Sequence, residues 1–193
     1  MLLDCLGEAC PMPIIKAKNA LKEIGEDGVV SVLTDNIESV ENIEKMARAA
    51  GCPCVIEKSG ENYVISITKG TGEMAPKTSK ENINDAVVVI SSLCMGNGND
   101  ELGAALLKTF IYTLTELDVL PKALIFYNEG VILACESSSI GDINTLREMG
   151  VDVLSCGACL EYYGLTNSLK TGRVSNMYEI AGMMINASGI IKP

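Results

Sequence analysis

Leu3-Asp4-Cys5-Leu6-Gly7-Glu8-Ala9-Cys10-Pro11-Met12-Pro13-Ile14-Ile15 takes the chain from a short apolar strand through a turn into a helix. Proline suits the first helical position, because its missing N–H would have no partner inside the helix and its φ is already helical. Apolar positions Ile14, Ile15, Ala17, Ala20, Leu21 and Ile24 continue the pattern, so the spacing predicts a helix over Pro11–Ile24. Cys10 then stands at the head of that helix, near unpaired N–H groups and the positive end of the helix dipole, a setting that favours thiolate over thiol. The competing reading is a small apolar residue at a helix cap, since free cysteine is often buried and inert.

Working outward, Leu2–Leu6 reads as the first strand and Val29–Thr34 as the second. Asp35 or Asn36 caps a helix running through Val40, Ile43, Met46 and Ala50 to a stop at Gly51. Cys54–Lys58 and Tyr63–Thr68 flank a Ser59-Gly60-Glu61-Asn62 turn and form a hairpin. The result is a two-layer β-α-β-α-β-β sandwich over residues 1–70. Residues 71–85 carry few apolar side chains and read as a linker. From residue 86 the pattern changes, because Ala86-Val87-Val88-Val89-Ile90 is an unbroken apolar run of the kind found in strands buried on both faces. A helix from Glu101 to Leu117, a strand at Ala123–Tyr127, a short extended piece at Val131–Ala134, a helix at Ile143–Glu148 and a strand at Val151–Ser155 are expected next. A short helix after Cys159, a helix at Tyr178–Ile185 and a final strand at Ile190-Ile191 complete residues 86–193. Strands alternating with helices imply a parallel-sheet, three-layer α/β/α domain whose ligand chemistry gathers beyond the carboxyl ends of the strands.

Leu3-Asp4-Cys5-Leu6-Gly7 followed by Cys10-Pro11-Met12-Pro13-Ile14 resembles the start of TusA/SirA-type sulfur carriers. That resemblance implies that the cysteine of the CPxP motif, Cys10 here, holds a persulfide, with Pro11 and Pro13 supporting the motif. Met95-Gly96-Asn97-Gly98-Asn99-Asp100-Glu101-Leu102-Gly103, Cys135-Glu136 and Leu154-Ser155-Cys156-Gly157-Ala158-Cys159-Leu160-Glu161-Tyr162-Tyr163-Gly164-Leu165 are similar to the DsrE-like family. The order of the two domains resembles the YedF proteins associated with selenium metabolism. In DsrE-type carriers the active cysteine lies just before a helix, and Cys159 is the position that matches. Cys156 departs from that pattern as a second thiol able to resolve a persulfide on Cys159 by forming a disulfide.

Composition excludes several chemistries. The 193 residues hold eight cysteines and no histidine, so the usual general base, thiol-activating partner and commonest metal ligand are all missing. A net charge of −10 argues against binding nucleic acid, which needs clustered cations. The hydrophobic fraction of 48% suits a packed protein, yet no stretch approaches the roughly 20 apolar residues of a membrane span. Met1-Leu2-Leu3-Asp4-Cys5 does not read as a secretion signal, so the expected location is the cytoplasm, where thiols stay reduced.

Cys156 and Cys159 in C-x-x-C spacing suit a redox pair, half a zinc site or two sulfur-handling thiols. Zinc would need a second pair from Cys52 with Cys54, Cys94 or Cys135, and no metal is expected. Cys52, Cys54 and Cys5 are read as structural, while Cys94 and Cys135 either pack in the core or face the crevice of Cys159. Gly96-Asn97-Gly98-Asn99 lacks the full G-x-G-x-x-G pattern, and Asp100 and Glu101 read as a helix start rather than an acid/base pair. The expected activity is that of a sulfurtransferase-like carrier, without a cofactor other than the sulfur or selenium held as a persulfide or selenosulfide. Cysteine desulfurase or selenocysteine lyase is the expected donor, a protein is the acceptor, and Lys16 or Lys18 would steady the departing charge. A non-catalytic adaptor and a thiol–disulfide oxidoreductase using Cys156 and Cys159 are the alternatives. The resemblance also implies assembly of copies, for which the apolar stretch Met177–Ile191 is an interface candidate, although a core helix explains the same residues.

Overall fold

A computed structural model describes residues 1–9, 11–70 and 83–193. The chain divides into two compact units, Met1–Pro76 and Lys77–Pro193. It is a mixed α/β protein with two sheets, one of mixed strand direction and one all parallel.

In the first unit the order is β1 (Leu2–Asp4), α1 (Met12–Glu23), β2 (Val29–Thr34), α2 (Ile37–Ala49), β3 (Cys54–Ser59) and β4 (Asn62–Thr68). The sheet runs β1-β2-β4-β3, with β1 parallel to β2 and β4 antiparallel to both of its neighbours. Period-two alternation sets the register: Val30 and Val32 of β2 are buried opposite Ile67 and Ile65 of β4. Above them lies the inward stripe of α2, Val40, Ile43 and Ala47, together with Ala17, Ala20 and Leu21 of α1. Each fully buried aliphatic side chain here contributes about 1.5–3 kcal/mol relative to exposure. Asn36 caps α2, its side-chain oxygen accepting from the N–H groups of Glu38 at 2.8 Å and Ser39 at 3.4 Å. The first strand stops at Asp4 rather than Leu6, because the Asp4 carboxylate accepts the Leu6 N–H at 3.1 Å and turns the chain. Gly7 follows at φ +72°, a left-handed backbone that glycine adopts without penalty.

The second unit runs β5 (Ile83–Ile90), α3 (Asp100–Glu116), β6 (Leu120–Phe126), a 3₁₀ turn Asn128–Ile132, α4 (Leu133–Glu136), α5 (Ile140–Glu148) and β7 (Asp152–Cys156). It ends with α6 (Gly157–Tyr162), β8 (Arg173–Ser175), α7 (Met177–Ile185) and β9 (Ile190–Ile191). All five strands are parallel, in the order β8-β7-β6-β5-β9. Val87, Val88 and Val89 are fully buried, as are Leu124, Ile125 and Phe126, which explains why these strands read as continuous apolar runs. α3 packs against α5, and α7 against β7.

Three expectations change on this unit. Most of the expected linker, 71–82, lies outside the described residues, and its last part, 83–85, already belongs to β5, which pairs with β6 from Ile83. Val131–Ala134 is helical rather than extended: it spans the end of the 3₁₀ turn and the start of α4, and Val131, Leu133 and Ala134 are buried because the turn packs into the core. Gly130 makes that packing possible, since a Cβ there would lie 2.2 Å from the Ile90 carbonyl oxygen. The sequence pattern does not predict β8. It has only three residues and is anchored by Arg173, whose guanidinium donates to Asp152 of β7 at 2.8 and 3.1 Å and to Glu179 of α7 at 2.6 and 3.1 Å.

Candidate functional site

In the first unit the predicted nucleophile, Cys10, lies outside the described residues, and its frame is built by its neighbours. Pro11 is the N-cap of α1 and Pro13 lies in its first turn, so the helix opens one residue later than the proline rule suggests. The Met12 N–H donates to the Ala9 carbonyl at 3.1 Å, and the Ile15 N–H donates to that of Pro11 at 3.1 Å. Gly7 ties this loop to the next one, its N–H donating to both Asp35 carboxylate oxygens at 3.1 and 3.2 Å. An open cleft of about 450 Å³ lies between the two loops, lined by Gly7, Glu8, Ala9, Asp35, Asn36 and Ile37.

Lys16 does not stand ready to receive a departing charge, because its ammonium is ion-paired with Glu8 and that hydrogen bond raises its pKa. Cys5 is fully buried. Desolvation, helped by the charge of Glu8, pushes its thiol up to about 11, so it stays protonated and inert near neutral pH.

In the second unit the C-x-x-C pair lies at the carboxyl end of β7. Cys156 closes the strand and serves as the N-cap of α6, so Cys159 is the third residue of that helix rather than a residue preceding it. The strand continues through Cys156 because its backbone still pairs with Ser175 of β8. Cys156 is 3% exposed, whereas Cys159 is half-buried at the surface, and the two stand in the N-cap and third positions of one helical turn. A residue missed in the sequence completes the arrangement: the backbone N–H of Asn128 donates to the Cys159 Sγ at 3.0 Å. Asn128 opens the 3₁₀ turn one residue past β6 at φ +51°, a conformation asparagine tolerates, and its Oδ1 accepts from the Tyr163 hydroxyl at 3.3 Å. An Asn just past a strand and two residues before Gly130 was the available signal. Burial is the main cause that raises the Cys159 thiol pKa, the Cys156 hydrogen bond adds to it, and the Asn128 N–H opposes both.

The other cysteines do not join this pair. Cys135 is fully buried, with its thiol raised by desolvation, so it does not face the crevice. Cys94 is half-buried and donates to the Asp100 carbonyl at 3.3 Å, at the start of α3, where Asn99 caps the helix by accepting from the Leu102 N–H at 2.9 Å. Cys52 is buried and Cys54 half-buried in the first unit. Among the described residues, no three His, Cys, Asp or Glu side chains group so as to hold a metal ion, and no helix is long and apolar enough to cross a membrane.

A small mixed sheet with two prolines at the head of its first helix defines a compact thiol-bearing α/β module. The family described as "Sulfurtransferase TusA" matches residues 1–69, and through this unit the chain belongs to that family. It is 35% identical over 60 residues to a protein of Methanocaldococcus jannaschii named as a sulfur carrier, covering 31% of this chain and 80% of that one. The SirA-like protein from Desulfitobacterium hafniense is 44% identical across 36% of this chain and 96% of its own, with a TM-score of 0.34. The ychN protein of E. coli shares 14% identity across 56% of this chain and 98% of its own, with a TM-score of 0.40.

Proposed function

We propose that this protein is a sulfur relay carrier in which Cys10 accepts a sulfane sulfur as a persulfide and passes it on. The family match over residues 1–69, with Cys10-Pro11-Met12-Pro13 inside it, carries this reading. The donor is a cysteine desulfurase or a selenocysteine lyase, the acceptor is a protein, and the setting is the cytoplasm. Transfer consists of thiolate attack on the outer sulfur, with the donor's thiolate leaving. Cys159, a half-buried thiol of the second unit, is the next station of the relay. The reading extends to the architecture: a two-layer TusA-like domain joined by a linker to a three-layer DsrE-like domain, as in YedF-type proteins. The same thiol chemistry carries selenium as a selenosulfide.

Intact-protein mass spectrometry after incubation with a cysteine desulfurase and cysteine, then with a selenide donor, tests the reading. Wild type is expected to gain the mass of one sulfur or selenium atom, and Cys10→Ala is expected to lose that gain. An equal gain on Cys10→Ala overturns the assignment of Cys10. No gain on any form favours the adaptor alternative.

A further inference from the structure

The C-x-x-C pair of the second unit differs from a single carrier thiol in one respect: a second thiol lies behind the first. Cys159 is reachable from solvent, whereas Cys156, at 3% exposure, is closed to any external donor or acceptor and precedes Cys159 by three residues at the head of the same helix. The Asn128 N–H holds the Cys159 Sγ at 3.0 Å, so the sulfur that a donor would load is fixed beside the buried thiol. Cys156 and Cys159 stand at the N-cap and third positions of one helical turn, and a disulfide requires only that their Cβ atoms approach to about 3.5–4.5 Å. From this arrangement we infer that the second unit releases sulfide, with Cys159 receiving a sulfane sulfur and Cys156 displacing it as hydrosulfide.

The chemistry balances in three steps. The Cys159 thiolate attacks the outer sulfur of a donor persulfide R–S–SH; the S–S bond of the donor breaks, and R–S⁻ leaves and takes a proton. Cys156 then gives up its proton and attacks the Cys159 Sγ; the bond from Sγ to the outer sulfur breaks, and its electron pair departs with HS⁻. The sulfane sulfur is reduced to sulfide by the same two electrons that oxidise the two thiols to a disulfide. An external dithiol reductant restores the pair by exchange, becoming a disulfide itself. The substrate class is a small or protein-bound persulfide, and the product is free hydrosulfide rather than a sulfur passed to another protein.

This inference rests on the reading of the chain as a persulfide-handling protein, and the test separates the two. Full-length protein carrying Cys10→Ser is reduced with dithiothreitol, desalted under argon and mixed with one equivalent of glutathione persulfide. Hydrosulfide is trapped with monobromobimane, and the cysteines are mapped by peptide mass spectrometry. The expected result is one equivalent of hydrosulfide together with a Cys156–Cys159 disulfide. Adding Cys156→Ser leaves a lasting persulfide on Cys159 and slows release by at least about tenfold. Adding Cys159→Ser abolishes both loading and the disulfide, and circular dichroism establishes that each variant is folded. Cys156→Ala, read alongside, guards against a serine-specific effect. The inference is overturned if Cys156→Ser releases hydrosulfide as fast as its parent, if the parent keeps its persulfide without a disulfide, or if Cys159 never loads. Loading of Cys10 by a desulfurase is read in its own experiment and stands or falls separately.

Discussion

The backbone N–H of Asn128 points at the Sγ of Cys159 from 3.0 Å, linking the turn that follows β6 to the helix that follows β7. The segments just past two parallel strands thus meet at one point, and the donor there opposes the burial that keeps this thiol protonated. The contact has a chemical direction. On the relay reading proposed above, an acceptor that takes the outer sulfur from Cys159 returns the charge to the Sγ, where the N–H already lies.

Because thiolate is the reactive form, the raised pKa of Cys159 moves its alkylation above the ordinary thiol value of 9.0. Cys156→Ala removes the neighbouring hydrogen bond that contributes to the rise, so the pH profile of Cys159 alkylation by iodoacetamide is expected to move to lower pH. An unchanged profile would show that burial alone sets it.

Gly130 meets the Ile90 carbonyl where any side chain would collide. Gly130→Ala is expected to lower the stability of the second unit by about 1–3 kcal/mol, the usual cost of overpacking. It also displaces the turn bearing Asn128, so urea unfolding and the rate of Cys159 alkylation should change together.

Cys5 has a folded pKa of about 11 against an ordinary value of 9.0. Its raised value gives stability that is complete below pH 9 and lost as pH rises towards 11, because the unfolded thiol ionises first. Differential alkylation at pH 8 should leave Cys5 unmodified in the native protein and label it fully in denaturant. The urea midpoint of the first unit should also fall across that alkaline window, and Cys5→Ala should flatten the fall.

Arg173 holds the Glu179 carboxyl down at about 2, with the Ser175 hydroxyl assisting. A depressed carboxylate contributes stability above its ordinary value of 4.5 that is lost as pH falls towards 2. Glu179→Gln is expected to flatten the acid limb of the urea midpoint of the second unit. Arg173→Met should lower its stability near neutral pH by releasing β8 from β7 and α7.

Much of this fold was readable wherever one force acts alone. Asn36 capping α2, the hairpin turn at Ser59–Asn62 and the apolar run into Ile90 were each set by local backbone chemistry or by burial on both faces. Reading failed where a tertiary contact overrides the pattern. Val131 and Leu133 are apolar because a helical turn is pressed into the core, and apolarity alone does not distinguish that from a strand. β8 is too short to carry a period and depends on Arg173 reaching Asp152 on β7, 21 residues earlier, as well as Glu179 on α7. At the candidate site the spacing of Cys156 and Cys159 was plain. Asn128 contributes a backbone group, which no side-chain motif announces.

The pairing of β9 with β5 has a kinetic consequence. Ile190 and Ile191 join Val87 and Val88, so the strand that opens the second sheet acquires its outer neighbour from the far end of the same unit. Neighbouring pairs β5–β6 and β6–β7 can form as the chain emerges, but closing this edge spans almost the whole unit in sequence, and such non-local pairing is slow. During synthesis that flank of β5 therefore stays open until Ile190 and Ile191 leave the ribosome, a period in which the apolar Val87–Ile90 edge is exposed to mispairing.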